Sequence, residues 1–435
     1  MFKQETSCEV LVIGGGPAGS TIATLLAQRG RNVLMLEKSK HPRFHIGESL
    51  LPMNMPLLDQ LGVAEEVKGV GMVKIGAEFV SPWHDAPMLI DFNDAWDNTY
   101  PSAYQVRRDQ FDEILFKNAV KKGVSAIEEC RVTDITFQPG AEALVTADRQ
   151  GDKHLIRARF VVDASGRDTF LSNHFDIKQR NKQHNSAAIY GHFSGAKRLQ
   201  GREEGVISVF WFDHGWFWFI PLADGNTSVG ATCWPYYMKT RKTDPAQFLL
   251  DTIALCPVLV ERMKNAKLVS PVTATGNFSY ISRRSYGENY ILVGDAFTFI
   301  DPVFSSGVFL AMSSGFAGAE TVETCLSKPQ QATRALRKFE KSMIQGPKVF
   351  SWFIYRITTP AMRHLLMYTG SDSKIKKALI SVLIGDVFGK KNYAYWLFVF
   401  KAMYYWSSLS DLKGAFRAWR NRKRSIRVVE IGATD

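Results

Sequence analysis

Five stretches of this chain carry residue types whose spacing points to chemistry. The first is Gly14-x-Gly16-x-x-Gly19, with Ala18 inside it, lying between the apolar run at residues 8–13 and the helical pattern STIATLLAQRG. Glycines there permit a tight turn and let backbone N–H groups approach a pyrophosphate at a helix N-terminus. The second is Glu37, at the end of the apolar run 32–36, an acid placed to accept hydrogen bonds from a ribose and poorly suited to a 2′-phosphate. Together these fit FAD or NAD better than NADP. The third is Gly294-Asp295-Ala296 after the run YILV, where a carboxylate between strand and helix can hold the ribityl chain of FAD. The fourth is Lys74, alone in the apolar frame VGMVKIGA. Such a lysine ordinarily carries its ammonium out to solvent; burial would instead lower its pKa by desolvation. The fifth is HGWFWFIP, residues 214–221, with Trp216, Trp218 and Ile220 on one face of a strand and Phe217, Phe219 and Pro221 on the other. Both faces are apolar, so the strand is expected to be buried on both sides.

Composition narrows the class. The chain has 435 residues, 46% hydrophobic and 22% charged, which predicts an ordinary globular protein with two or three domains. Cys8, Cys130, Cys233, Cys256 and Cys325 are scattered, which indicates neither a disulfide framework nor a metal site. The opening MFKQETSCEV reads as no signal peptide, and the apolar run 393–400 is broken at Lys401, short of the ~20 residues a membrane span needs. A cytoplasmic location is expected. The net charge of +12 attracts acidic surfaces. Part of it is local: Arg417, Arg420, Arg422, Lys423, Arg424 and Arg427 cluster beside Phe416 and Trp419. A solvated helix end, an acidic protein partner and an anionic membrane surface all stay open there, the last making the protein peripheral to a membrane. Nucleic acid is disfavoured, since no recognition motif accompanies the charge.

The motifs GGGPAG with Glu37, Val162-Asp163-Ala164-Ser165-Gly166 and Gly294-Asp295 resemble the nucleotide motifs of flavoprotein monooxygenases of the hydroxybenzoate hydroxylase fold. RFHIGESLLP (residues 43–52), KIGAEF (74–79), Trp216-x-Trp218-x-Ile220-Pro221 and DPVFSSG (301–307) narrow this to a resemblance to the flavin-dependent halogenases, over roughly residues 5–390. It is strongest toward the branch acting on phenols or pyrroles, often as thioesters on a carrier protein.

The resemblance implies that FAD, used as FADH2, reacts with O2 and a halide, chloride or bromide, to give hypohalous acid, which travels through a tunnel to Lys74. It implies further cofactor contacts at Arg43, Gly47, Glu48, Ser49, Arg108 and Gly307, a halide site at Ser306 and Gly307, and a barrier between flavin and substrate formed by Trp216, Trp218, Ile220 and Pro221. One departure bears on the substrate. Halogenases of free tryptophan carry a glutamate three residues before this glycine; here the position is Phe304, which argues against free tryptophan. A separate NAD(P)H-dependent flavin reductase is expected, because no second nucleotide fingerprint is visible. An acidic acyl or peptidyl carrier protein would match the positive charge. The competing readings are an aromatic hydroxylase or isoprenoid-type flavin reductase, and a non-enzymatic flavin-binding protein.

The expected class is α/β with mixed α+β character. A Rossmann-like FAD-binding domain would be assembled from residues 1–80, 100–175 and 285–330. Residues 81–99 and 176–284 would form an antiparallel substrate-domain sheet, and 331–435 a helical C-terminal region.

Overall fold

The computed structural model describes residues 5–276, 279–368, 373–389 and 392–427. Residues 1–4 of the expected unprocessed start and the side chain of Arg427 lie outside these.

The N-terminal strand–helix–strand unit forms as its pattern predicts. The strand Glu5–Ile13 leads through the glycine turn to the helix Pro17–Ala27, opened by a proline whose missing N–H costs nothing at that position, and then to the strand Val33–Leu36. Asp152–Asp163 and Tyr290–Leu292 continue the sheet on the other side of Glu5–Ile13, all in parallel. Their registers set Ile13 opposite Leu36 and Asp163, and Asp163 opposite Leu292. The carboxyl ends of four strands are therefore level, the place where open parallel sheets bind ligands.

A second sheet runs Lys267–Leu268, Ala187–Ser194, Thr227–Cys233, Gly215–Pro221, Ile207–Phe212, Gly76–Val80 and Met88–Asp91. It is antiparallel as expected except at one pair. Gly76–Val80 lies parallel to Ile207–Phe212 because it arrives from a distant part of the chain rather than through a hairpin. The same pairing moves residues 76–80 out of the first sheet, so the first structural piece is shorter than the 1–80 expected.

Gly215–Pro221 is buried along its whole length. Trp216, Trp218 and Ile220 pack in one core with Tyr190, Phe304 and Phe353, while Phe217 and Phe219 pack in another with Phe210, Phe212 and Phe248. Beyond the helix Ser306–Ser327 the described chain is helical, with Ala332–Ile354 laid against that helix and Ala394–Ser410 packing on the helices Pro360–Tyr368 and Lys374–Leu383. No helix among the described residues is long and apolar enough to cross a membrane.

Candidate active site

One cavity of about 1260 Å³ opens at the level strand ends. It exceeds the roughly 300–1,000 Å³ of an ordinary small-molecule site, as a dinucleotide requires. Gly14, Gly16, Ala18, Glu37, Arg43, Gly47, Glu48, Ser49, Arg108, Asp295 and Gly307 all line it. Gly19 does not; its role is to let the turn close, since a Cβ there would sit 1.9 Å from the Gly14 carbonyl oxygen. Gly14 itself has φ +104°, and a Cβ on it would meet the Ala164 oxygen at 2.4 Å.

The cavity's charges are organised by its own backbone. Glu37 accepts from the N–H groups of Gly15 at 2.8 Å and Ser39 at 2.9 Å, which fixes the glycine turn while keeping the carboxylate at the cavity wall. Asp163, fully buried behind the wall, accepts from the N–H groups of Ser165 at 2.9 Å and Leu171 at 2.7 Å and so shapes the second motif's turn. Arg43 and Arg108 share Asp112, with Arg43 donating at 3.0 Å and Arg108 at 2.7 and 3.0 Å. Burial pushes the Asp112 carboxyl up, but the guanidinium of Arg108, with Arg43 behind it, outweighs this and holds it below the usual carboxylate range. Arg167, which the sequence reading passed over, also lines the cavity and supplies further positive charge.

Asp295 faces the cavity with no side-chain hydrogen bond among the described residues. Burial raises its pKa to about 6 against the pull of Arg108 and Arg167. A half-buried carboxylate lacking a donor suits the hydroxyls of a ribityl chain. With the glycine cradle and the cavity's size, this acceptor makes the residues present a good fit for FAD.

The helix Ser306–Ser327 points its N-terminus at the cavity. Asp301 caps the turn before it, accepting from Val303 N–H at 3.2 Å, and its other oxygen is tied to His184 at 3.0 Å and Ser186 at 2.7 Å. Ser305, in the left-handed conformation at φ +56°, and Gly307 reach the wall. Ser306 does not, because one residue is a 100° step around a helix. It lies behind the wall, 1% exposed, and its Oγ has no partner among the described residues.

Trp216, Trp218 and Ile220 line the cavity opposite the dinucleotide turn, and Tyr190 packs on Trp218 at 5.7 Å between ring centroids. Pro221, expected to stand with them, is not on the cavity wall; the strand's alternation turns it to the opposite face, where it ends the strand against Thr227. Gly230, unremarked in the sequence, makes room for the indole, since a Cβ there would come within 2.3 Å of Trp218 Cζ2.

Lys74 is buried at 2% exposure, outside the lining of the main cavity, and its ammonium does not reach solvent. Its Nζ donates to Ser49 Oγ at 2.9 Å and to the Leu50 carbonyl at 3.0 Å, and it lies 5.2 Å from the Phe92 ring centroid. No carboxylate pairs with it among the described residues. Desolvation lowers its pKa to about 7. Ser49 thus joins the two places, facing the cavity while accepting from Lys74.

Comparison with known proteins agrees with this geometry. Residues 7–326 match the family model for an FAD binding domain. The solved chondrochloren halogenase of a myxobacterium is 32% identical, covers 87% of this chain and 90% of its own, and superimposes with a TM-score of 0.77. The chain belongs to the flavin-dependent halogenases. FAD is its cofactor.

Two curated relatives of this chain differ in what their names say they act on. A tryptophan 2-halogenase of Chondromyces crocatus is 34% identical over 74% of this chain and 62% of its own length. A 1H-pyrrole-2-carbonyl-[peptidyl-carrier protein] chlorinase of Pseudomonas fluorescens is 27% identical over 88% and 90% respectively. The chain thus spans less than two thirds of the first of these. Phe304 is buried and meets Phe353 edge-on at 6.1 Å, so apolar packing occupies that position rather than a second charge. Glu48, a cofactor contact by resemblance, also pairs with His192 Nε2 at 2.7 Å, and its second oxygen has no partner among the described residues. Nothing local in the sequence signalled His192, because its strand reaches Glu48 only through tertiary packing.

Proposed function

We propose that this protein uses FADH2, O2 and chloride or bromide to halogenate an electron-rich aromatic ring, a phenol or pyrrole, either free or tethered to an acyl or peptidyl carrier protein. The observation that carries the reading is Lys74, buried without a counter-ion at a pKa of about 7, next to a residue of the cavity wall. FAD, when bound and reduced, would supply two of the four electrons that O2 takes up, the halide giving the other two as it becomes hypohalous acid. The chain's own residues do the rest. Gly14, Gly16, Ala18, Glu37, Arg43, Arg108 and Asp295 hold the dinucleotide, and Gly307, at a helix N-terminus on the cavity wall, offers its end of the helix to a halide, with the uncommitted Ser306 hydroxyl just behind it. Trp216, Trp218 and Ile220 keep the aromatic substrate from the flavin. Near neutral pH the Lys74 amine is available both as a free base to trap hypohalous acid and as an ammonium to direct it by a hydrogen bond. With Phe304 in place of a carboxylate, the ring proton is lost with help from Lys74 or from the substrate's own hydroxyl or N–H, which favours activated rings.

A separate reductase supplies FADH2 in this reading, and the net charge of +12 steers an acidic carrier. The pyrrole chlorinase named above supports the carrier-tethered form. The deciding experiment incubates the enzyme, a flavin reductase and each halide with free and carrier-bound phenols, pyrroles and tryptophan, with products read by mass spectrometry. Lys74→Ala should bind FAD as the parent does and make no halogenated product. Full halogenation by Lys74→Ala would refute the assigned role; hydroxylated product without halogen would favour an aromatic hydroxylase, and FAD binding without any product a non-enzymatic role.

A further inference from the structure

The helix Ala394–Ser410 is apolar on both sides. Leu397, Phe400 and Tyr404 are buried on one face, and on the opposite face Tyr395, Phe398, Trp406 and Leu409 are exposed at 65, 68, 78 and 64%. These four fall within about 80° of one another on a helical projection. A helix with this pattern is normally covered on all sides. The next helix, Leu412–Arg427, continues the pattern in stripes. Leu412, Phe416 and Trp419 form an exposed apolar line, with Phe416 stacked on Trp419 at 5.6 Å. Lys413, Arg417, Arg420 and Arg424 form a line about 100° further round. The third side is held to the protein by Ser425, whose carbonyl accepts from Asn185 at 3.1 Å, and by Arg422, which donates to the Tyr355 carbonyl at 3.1 Å. No carboxylate pairs with Lys413, Arg417 or Arg420 among the described residues. Residues 392–427 hold eight Lys or Arg against one acid, Asp411, which accounts for more than half of the chain's +12.

We infer that these two helices dock the protein on an anionic lipid surface, lying in the headgroup layer with the aromatic line inserted and the basic line on the phosphates. Charge complementarity decides the occupant. A second copy would set two strongly basic faces against each other. An acidic protein would answer the charge, but it leaves large apolar rings at the level of solvent, whereas Trp and Tyr flanked by Lys and Arg are the residues a bilayer interface favours. The inference is independent of the halogenation reading.

The test is co-sedimentation of the full-length FAD-loaded protein with vesicles of pure phosphatidylcholine and of phosphatidylcholine with 30% phosphatidylglycerol. Binding is expected only to the anionic vesicles, with a blue shift of tryptophan emission. Arg417→Gln with Arg420→Gln, both at exposed sites, should weaken binding roughly thirtyfold, at about fivefold per charge. Trp406→Ser together with Trp419→Ser should abolish the blue shift while FAD binding is unchanged. Absence of sedimentation with anionic vesicles overturns the inference, as does binding unaltered in these variants. So does a dimer in sedimentation velocity that Trp406→Ser dissolves, or binding of an acidic carrier protein that Trp406→Ser and the arginine pair weaken.

Discussion

Lys74 is held by two neutral acceptors and by nothing negative, so its protonation is coupled to folding with a sign opposite to that of a salt-bridged lysine. Between about 7 in the folded protein and about 10.4 in the unfolded chain, only the unfolded chain takes up the proton, and stability from this group rises with pH across that window. Below about 7 both states are protonated and the penalty is constant. Replacing it by methionine removes the penalty, so the melting temperature of Lys74→Met relative to the parent should be highest at and below neutral pH and fall toward pH ~10. Parallel pH profiles for the two proteins would show that the amine is not desolvated. Asp295 gives the complementary prediction. Its carboxyl, raised to about 6, accepts hydroxyl donors more strongly when ionised, so FAD affinity should drop as pH falls through that value. Asp295→Asn should bind FAD about 10- to 100-fold more weakly by fluorescence titration, the loss of one charge-assisted acceptor.

At the scale of elements, the two faces of Gly215–Pro221 can be separated experimentally. Phe217→Ala opens a cavity in the core away from the flavin and should cost about 3–5 kcal/mol in chemical denaturation while product formed per folded enzyme stays the same. Gly230→Ala should instead cost about 1–3 kcal/mol through overpacking, yet disturb catalysis, because its Cβ would displace Trp218. Activity unchanged in Gly230→Ala would mean that Trp218 is only packing.

The same strand shows what was legible in the sequence and what was not. Its burial and the glycine turn at residues 14–19 follow from local pattern, since alternation and a strand–turn–helix motif are short-range facts. The partners of Lys74 were not legible, because Ser49 and Leu50 approach it from 24–25 residues away through the bridging of Ser49 with Gln105 and of Met72–Lys74 with Ala103–Gln105. His192, Arg167 and Gly230 were missed for the same reason, being placed by sheet register and tertiary packing. Pro221 and Ser306 lie one step off the cavity wall, since a motif names neighbours and backbone geometry turns alternate ones toward it.

For the whole molecule, the relevant quantity is charge against distance. If a carrier protein delivers the substrate, raising salt from low to physiological strength should slow turnover of the carrier-bound ring several-fold more than that of a small free analogue, because steering is screened beyond ~8–10 Å. Equal sensitivity in steady-state assays would remove the carrier from the reading.

The partition made by Gly215–Pro221 has a practical consequence for redesign. Because Phe217 and Phe219 belong to one interior and Trp216, Trp218 and Ile220 to another, the proposed function predicts that libraries varying the second set alone change which substrates are accepted, while compensating changes around Phe210, Phe212 and Phe248 restore stability and leave that choice unchanged. One short segment thus offers two nearly orthogonal dials.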